Sequence, residues 1–226
     1  MTAATNGLGP VCFDLDGCLV DSREAIATCM NLALEAEGAP PADPAVLHGL
    51  IGGQLLGCFE SLLADAGHDP ALAMGCVATY RRHYAEVALT HTTPIPGIEA
   101  VLEAVAAQRR VLVVTAKPAE FATPILAAVG LDRHVGAVFA PALDALTEPK
   151  AASLRRALAA VDAVADPGAA WMVGDRHHDV EAGLACGVPT VGVTWGSGDR
   201  DELHAAGAVA VVDAPEELPA VLGLAV

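Results

Sequence analysis

Three carboxylates crowd the end of a short apolar run near the start of the chain. The stretch VCFDLDGCLVDS, residues 11–22, carries Asp14, Asp16 and Asp21 around a glycine. Like charges placed this close together repel one another. We therefore expect a positive partner nearby, whether a metal ion, a lysine or both.

Polar residues also stand at the ends of other apolar runs. Thr115 ends VLVVT and Asp175 follows WMVG, just as Asp14 follows the first run. In open parallel sheets, ligands bind at the carboxyl ends of the strands. Lys150 begins a helical segment and can point its charge at the same edge. The expected positive partners are therefore Lys150 and a metal ion between Asp14 and Asp175.

These residues are carried by valine-rich runs that alternate with helix-length segments such as 98–107 and 151–164. Strands are predicted at residues 11–13, 111–114, 135–139, 171–173, 190–193 and 209–212. Strands that alternate with helices indicate a parallel sheet covered on both faces. The predicted fold is α/β, with a doubly wound, Rossmann-like parallel sheet at its core.

One connection breaks this alternation. Between Asp21 and Thr93 the sequence has the pattern of several helices, with breaks at GAPPADP, IGG and GHDP and no convincing strand. We expect an inserted, all-helical cap subdomain at residues 21–94. The catalytic core then consists of residues 1–20 and 95–226.

Composition excludes several classes of function. A net charge of −16 disfavours nucleic acid and acidic membrane surfaces as partners. No apolar stretch reaches the ~18 residues of a bilayer span, and the first residues lack the pattern of a secretory signal, so a cytoplasmic location is expected. Six cysteines without a C-x-x-C pair indicate neither a zinc site nor a redox motif.

Four stretches together resemble a known family. DLDGCLVDS, VVTAKP, Lys150 and GDRHHD are similar, in order, to the four motifs of the haloacid dehalogenase-like phosphohydrolases. The resemblance spans nearly the whole chain and is greatest to the phosphoglycolate phosphatase group, which carries a helical cap between the first and second motifs. It implies a mobile cap and Mg²⁺-dependent hydrolysis of a phosphate ester.

The resemblance also implies roles for individual aspartates. Asp14 is the expected nucleophile, because a carboxylate attacks phosphorus without prior activation and forms an acyl phosphate. Asp16 suits the general acid that protonates the leaving alkoxide and the base that then activates water. Asp14, the backbone carbonyl of Asp16, and Asp175 suit Mg²⁺. Asp179 is expected to support these ligands or to contact the metal through water.

Substrate contacts are predicted on both sides of the site. Thr115 and the backbone amides around Ala116 are expected to bind phosphoryl oxygens, and Lys150 to neutralise one of them. In the cap, Gly52 and Gly53 either let a loop approach the site, with Gln54 reaching the substrate, or form a plain turn.

Several residues are expected to have simpler roles. Asp21 and Ser22 are predicted to cap the first cap helix. His177 and His178, as helix neighbours, are expected to face different ways and not to share an ion. Cys18 stands where the family usually has threonine, and Ala116 where serine or asparagine is common; neither change removes a catalytic group.

Two alternatives to a phosphatase remain open, namely a sugar phosphomutase of the same family and a non-catalytic phosphate-binding or phosphoacceptor domain. The absence of lysine between residues 21 and 93 weakens the phosphomutase and argues against a phosphonate hydrolase. Retention of Asp16 disfavours a dehalogenase and a stable phosphoacceptor. A small phosphorylated metabolite is the expected partner. Phosphoglycolate, a nucleoside monophosphate and a sugar phosphate all fit, as do a monomer and a homodimer.

Overall fold

A six-stranded parallel sheet forms the centre of the protein in our computed structural model, which describes residues 8–145 and 148–225. In chain order the strands are β1 (Val11–Phe13), β2 (Val20–Asp21), β3 (Thr93–Pro94), β4 (Val111–Val114), β5 (Ala137–Phe139), β6 (Trp171–Gly174), β7 (Thr190–Val193) and β8 (Ala210–Val212). The main sheet has the order β5-β4-β1-β6-β7-β8. Phe13 on β1 is level with Val113 on β4 and Val173 on β6, so these strands end side by side.

Helices cover both faces of this sheet. In chain order the α-helices are α1 (Arg23–Ala36), α2 (Pro44–Gly49), α3 (Leu55–Asp65), α4 (Ala73–His91), α5 (Ile98–Ala106), α6 (Ala119–Ala128), α7 (Lys150–Ala160), α8 (His177–Cys186), α9 (Arg200–Ala206) and α10 (Leu218–Val221). Along β1, Val11 and Phe13 pack into one buried cluster and Cys12 into another. Burial on both faces explains why the strands are uninterrupted apolar runs. The predicted α/β fold is confirmed.

The segment between β2 and β3 is helical. It contains α1 to α4, of which α1 packs most extensively on α4. The aromatic side chains of Phe59, Tyr80 and Tyr84 on these helices are buried. The helices end at the breaks predicted from GAPPADP, IGG and GHDP. The division into residues 21–94 and a core of residues 1–20 and 95–226 stays a prediction.

Sequence patterns missed one feature and overextended others. β2 and β3 form a two-stranded antiparallel pair where the chain enters and leaves the helical segment; at two residues each, they show no periodicity. Helix α7 ends at Ala160 and not at residue 164, and Asp162 adopts a positive φ of 58° just beyond it. Strand β5 begins at Ala137 and not at residue 135, because the Val135 amide donates a hydrogen bond to the Asp132 carbonyl in a turn.

None of the helices within the described ranges combines the length and the apolar character needed to cross a bilayer.

Candidate active site

Asp14 lies buried at the end of the central strand β1. Its backbone amide donates to the Val173 carbonyl of β6 at 2.9 Å, which fixes the aspartate at the edge of the sheet. Its Oδ2 atom is 3.0 Å from the Lys150 Nζ atom. Its Oδ1 atom is buried and has no hydrogen-bond partner among the described residues. One oxygen is therefore held by a lysine, and the other can accept a further ligand.

Lys150 is the first residue of α7 and brings its charge to this edge, as the sequence predicted. Its Nζ atom is 2.6 Å from Asp179 Oδ1 as well as 3.0 Å from Asp14, and its side chain is 6% exposed. Burial lowers the pKa of Lys150, but the carboxylates of Asp14 and Asp179 outweigh burial and raise it above its usual value. Lys150 therefore stays charged at the pH of a cell.

Asp175 follows β6 and is enclosed by glycine-containing loops. Its Oδ2 atom accepts a hydrogen bond of 2.6 Å from the Ser197 amide. A Cβ atom on Gly196, or on Gly17 with its positive φ of 76°, would overlap this same oxygen. Only glycine lets these two loops approach so closely. The GSG stretch after β7 is a contact that sequence reasoning missed, although it follows a strand at the same edge.

Three of the predicted metal ligands meet at this point. Asp14, Asp175 and Asp179 each place a carboxylate oxygen within 4.8 Å of the other two. Burial raises the pKa of Asp14, and the charge of Lys150 lowers it. The charges of Asp179 and Asp16 raise it further, so the pKa of Asp14 is raised to about 6. Burial, together with Asp179 and Asp14, raises the pKa of Asp175 to about 8.

This cluster fits a divalent cation. Burial is the largest cause of the raised pKa values of Asp14 and Asp175, and a cation would favour their charged forms. Asp14 Oδ1 also has no partner among the described residues. Oxygen donors of this type are those that Mg²⁺ prefers. Asp179 is more heavily engaged, because its Oδ1 atom accepts from Lys150 and its Oδ2 atom accepts from the Arg176 amide. These contacts favour the supporting role expected for Asp179. The backbone carbonyl of Asp16 as a ligand stays a prediction.

Thr115 and Ala116 lie beside Asp14, in the loop after β4. The Thr115 hydroxyl oxygen accepts a hydrogen bond of 3.1 Å from the Lys117 amide, which leaves its proton free to donate to another group. Both residues line the cleft described below. The structure therefore places Thr115 and Ala116 where a phosphoryl oxygen can meet them.

Asp16 has partners that sequence reasoning did not identify. Its Oδ1 atom lies 2.5 Å from the Ser22 hydroxyl and 2.6 Å from Lys117 Nζ. Lys117 Nζ also lies 2.5 Å from the hydroxyl of Tyr84 on α4. The available signal was the lysine in VVTAKP, two residues after Thr115. The contact with Tyr84 depends on how the helical segment packs, which a motif does not reveal.

A cleft of about 560 Å³ separates the helical segment from the sheet edge. Asp14, Asp16 and Lys150 line one wall, and Gly53 and Gln54 line the other. Beside Gly53, the cap loop is tied to the core, because the side chain of Arg176 donates to the carbonyls of Gly49 at 3.2 Å and Ile51 at 2.8 Å. The loop that contains Gly52 and Gly53 thus lies at the cleft. Binding of substrate by Gly53 and Gln54 stays a prediction.

The expectations for the first cap helix were half right. Asp21 accepts from the Arg23 amide at 3.1 Å and also pairs with the Arg23 side chain. Ser22 makes no capping hydrogen bond, because its hydroxyl is directed to Asp16 instead. Cys18 donates its thiol to the Val173 carbonyl, and burial first, then the neighbouring aspartates, raise its pKa well above the usual value. A thiol that stays protonated resists oxidation.

The expectation that His177 and His178 face different ways was wrong. Their ring centroids are 3.8 Å apart, and a Glu181 oxygen lies within 4.8 Å of a nitrogen from each. Glu202 on α9 accepts from the His177 amide at 2.9 Å and contacts its ring at 2.6 Å, which holds this ring against His178.

A buried carboxylate with an oxygen unpartnered among the described residues, a second carboxylate beside it and a charged lysine are groups that suit phosphoryl transfer. Together with the doubly wound sheet and the helical insertion, they define a phosphate-processing enzyme. The sequence comparison then specifies its family: residues 11–193 match the family model of the haloacid dehalogenase-like hydrolases, and the chain belongs to that family.

Relatives and solved structures agree with this assignment. The chain is 35% identical over 196 residues to a 5'-nucleotidase of Pseudomonas aeruginosa, covering 86% of each chain. It is 35% identical over 214 residues to a phosphoglycolate phosphatase of Cupriavidus necator, covering 94% of this chain and 92% of the relative. A crystal structure of a predicted phosphatase from Clostridium acetobutylicum superposes with a TM-score of 0.86 at 29% identity, over 96% of this chain and 99% of the other. The protein is thus a phosphatase of this family, in the phosphoglycolate phosphatase-like group.

Proposed function

We propose that this phosphatase hydrolyses small phosphate monoesters with Mg²⁺, through a phosphoryl group carried by Asp14. The observation that carries the proposal is the state of Asp14. It is buried at a strand end, with Lys150 on one oxygen and no partner on the other. Such a carboxylate is held in place through one oxygen, and its other oxygen is available for reaction.

The first half of the reaction transfers the phosphoryl group to the protein. A carboxylate oxygen of Asp14 forms a bond to phosphorus while the bond from phosphorus to the ester oxygen breaks. Asp16 gives its proton to the departing oxygen, so the alcohol leaves neutral. Thr115 and the Ala116 amide hold phosphoryl oxygens, and Lys150 balances their negative charge.

The second half releases phosphate and regenerates the protein. Asp16, now ionised, takes a proton from a water molecule as the water oxygen bonds to phosphorus. The bond between phosphorus and Asp14 breaks, and the carboxylate is restored. One ester and one water are consumed, and one alcohol and one phosphate are formed.

Asp14, Asp175 and the backbone carbonyl of Asp16 would hold Mg²⁺, with Asp179 supporting them through Lys150 or a water. The bound ion would neutralise charge on the transferring phosphoryl group. The raised pKa values of Asp14 and Asp175 support this assignment, because a cation relieves their mutual repulsion.

The proposed substrate is a small phosphorylated metabolite of the cytoplasm. Phosphoglycolate and a nucleoside monophosphate are suggested by the names of the two relatives. A sugar phosphate also fits a cleft of about 560 Å³. The phosphatase names of the relatives favour hydrolysis over a phosphomutase or a non-catalytic domain.

The test is phosphate release from a panel of these esters, with Mg²⁺ and with a chelator. We expect Mg²⁺-dependent turnover by the intact protein, none by Asp14→Asn, and normal turnover by the control Asp132→Asn, which changes an exposed aspartate. Phosphate release by Asp14→Asn, or release by the intact protein that is equally fast in the chelator, would overturn the proposal.

A further inference from the structure

The chain contains only two lysines, and both are buried at the candidate active site. Lys150 contacts Asp14, the proposed nucleophile, whereas Lys117 contacts Asp16, the proposed acid and base. The reaction described above uses Lys150 but leaves Lys117 without a role. A buried lysine is costly unless it is paired, so its purpose can be sought in its contacts.

Lys117 joins three separate parts of the chain. It belongs to the loop after β4, while Asp16 follows β1 and Tyr84 lies on α4 of the helical segment. Its Nζ atom is 2.6 Å from Asp16 Oδ1 and 2.5 Å from the Tyr84 hydroxyl, and its side chain is 6% exposed. A single ammonium group therefore connects the acid–base carboxylate with the cap.

The two oxygens of Asp16 have unequal surroundings. Oδ1 receives the Lys117 ammonium and the Ser22 hydroxyl, whereas no hydrogen bond to Oδ2 occurs in the described part of the chain. Asp16 lines the cleft. Two donors on one oxygen restrict rotation of the carboxylate and leave the other oxygen available for proton transfer.

Tyr84 is itself held firmly. Its ring stacks on Tyr80 at 5.0 Å and meets the edge of Phe121 at 5.5 Å. Burial first, and then the charge of Asp16, raise its pKa well above the usual value, so it meets Lys117 as a neutral hydroxyl. Asp16 is therefore the one carboxylate that lies within ion-pair distance of Lys117 among the described residues.

We infer that Lys117 is a positioning residue, which Tyr84 holds against Asp16 so that the acid–base carboxylate is correctly oriented only when the cap lies over the site. The inference rests on the proposed function, because it assigns Lys117 a role in the proton transfers of that reaction. Lys117 acts through Asp16 and does not itself touch the phosphoryl group.

The dependence of rate on the leaving group tests this inference. An aryl phosphate releases a stable phenolate and needs little protonation, whereas an alkyl phosphate needs the acid. We expect Lys117→Met to lower the rate with an alkyl phosphate at least about tenfold more than the rate with an aryl phosphate, and we call this difference the leaving-group bias. For the alkyl phosphate the rate is kcat. For the aryl phosphate it is the rate constant for release of the phenol in a single turnover. Tyr84→Phe should give a smaller bias in the same direction. Tyr80→Phe, one turn away on α4, should show no leaving-group bias relative to the intact protein.

A double-mutant comparison shows whether the residues act through Asp16. In an Asp16→Asn background, Lys117→Met should produce no further leaving-group bias, because the carboxylate that it orients is gone. Lys117→Arg, which keeps the charge, should show a smaller bias than Lys117→Met. An equal loss on both esters, or a full additional bias in the Asp16→Asn background, would overturn the inference.

The scarcity of lysine supplies a readout that does not depend on activity. Protein labelled with ¹³C at the lysine side chains should show two side-chain signals, and Lys117→Arg identifies that of Lys117. Tyr84→Phe should shift this signal and leave that of Lys150 in place; an unchanged Lys117 signal would contradict the contact. Tyr84→Phe removes a single oxygen, so it tests the inference even if Lys117→Met does not fold.

The outcomes separate this inference from the function on which it rests. If Asp14→Asn retains turnover, the proposed reaction is wrong. If Asp14→Asn is inactive but Lys117→Met slows both esters equally, the reaction stands and the positioning role is wrong.

Discussion

The two aspartates that follow β1 are two residues apart, and each is paired with one of the two lysines, yet their surroundings differ. The partners of Asp14 are Lys150 and, through it, Asp179, both at the edge of the main sheet. The partners of Asp16 include Ser22, at the start of α1, and Lys117, which is held by Tyr84 of α4.

This difference separates two parts of the same reaction. Asp14, the proposed nucleophile, is positioned by its backbone contact with β6 and by Lys150 at the start of α7, both of which belong to the sheet and its covering helices. Asp16, the proposed acid and base, is positioned by Ser22 and by Lys117 of the core, and Lys117 is in turn held by Tyr84 of the helical segment. Movement of the cap would therefore change proton transfer while leaving Asp14 ready to attack.

The largest effect that separates the two aspartates is expected from Lys150→Met. This change leaves Asp14 and Asp179 buried without their cation, which costs about 3–5 kcal/mol of unfolding free energy. It also removes a preorganised charge from the phosphoryl site, so kcat should fall roughly 10²–10³-fold on aryl and alkyl esters alike. Urea unfolding and steady-state kinetics measure the two losses, with the exposed Arg155→Met on the same helix as the control. A loss confined to alkyl esters would contradict the division between the aspartates.

An intermediate effect is expected from pH, through Asp14 and its neighbour Asp175. The folded state raises the pKa of Asp14 from 3.8 to about 6 and that of Asp175 from 3.8 to about 8. Since the folded state then binds protons more tightly than the unfolded chain, the contribution to stability is greatest below about pH 4. It is lost as pH rises through about 6 and 8.

Thermal unfolding in a chelator should show this loss, and saturating Mg²⁺ should reverse it. At about pH 9 we expect Mg²⁺ to raise the Tm by at least about 3 °C, since one kcal/mol corresponds to ~2–4 °C in a chain of this size. Asp175→Asn should be more stable than the intact protein at that pH without metal and should respond less to Mg²⁺. Equal pH profiles for the two proteins would count against the carboxylate cluster as the cation site.

The smallest effect is expected from Ser22→Ala, on the Asp16 side. The Ser22 hydroxyl is one of two donors to Asp16 Oδ1, so its removal weakens but does not abolish the restraint. We expect a loss of about 1 kcal/mol, or roughly fivefold in kcat for an alkyl phosphate, with little change in the single-turnover release of the phenol from an aryl phosphate. Ser61→Ala, an exposed serine on α3, is the control. A loss as large as that of Lys150→Met would mean that Ser22 has a role beyond orienting Asp16.

The contrast between the aspartates also shows how far the sequence can lead. Asp14, Thr115 and Asp175 each follow a valine-rich run, and parallel strands bring their ends to one edge. Lys150 begins a helix that returns over the same sheet. Because local patterns and one topological rule position these residues, they could be predicted.

The partners of Asp16 could not be predicted in this way. Tyr84 reaches Lys117 only because α4 packs on α1 and its ring lies between Tyr80 and Phe121. Ser22 looked like a helix cap because its local sequence favours that role, but a contact with Asp16 prevailed. Such contacts depend on the packing of helices that are distant in sequence, and local sequence patterns do not predict that packing.

The central claim is that Asp14 carries the phosphoryl group, and trapping that group tests it most directly. The Asp16→Asn variant lacks the base that activates water but needs no acid to release an aryl leaving group. Mixed with an aryl phosphate and Mg²⁺, quenched in acid and digested, it should yield the peptide containing Asp14 with one added phosphoryl group by mass spectrometry. The same treatment of Asp14→Asn should yield none. Release of the phenol with no phosphoryl group on Asp14, or with the group on another residue, would contradict the mechanism.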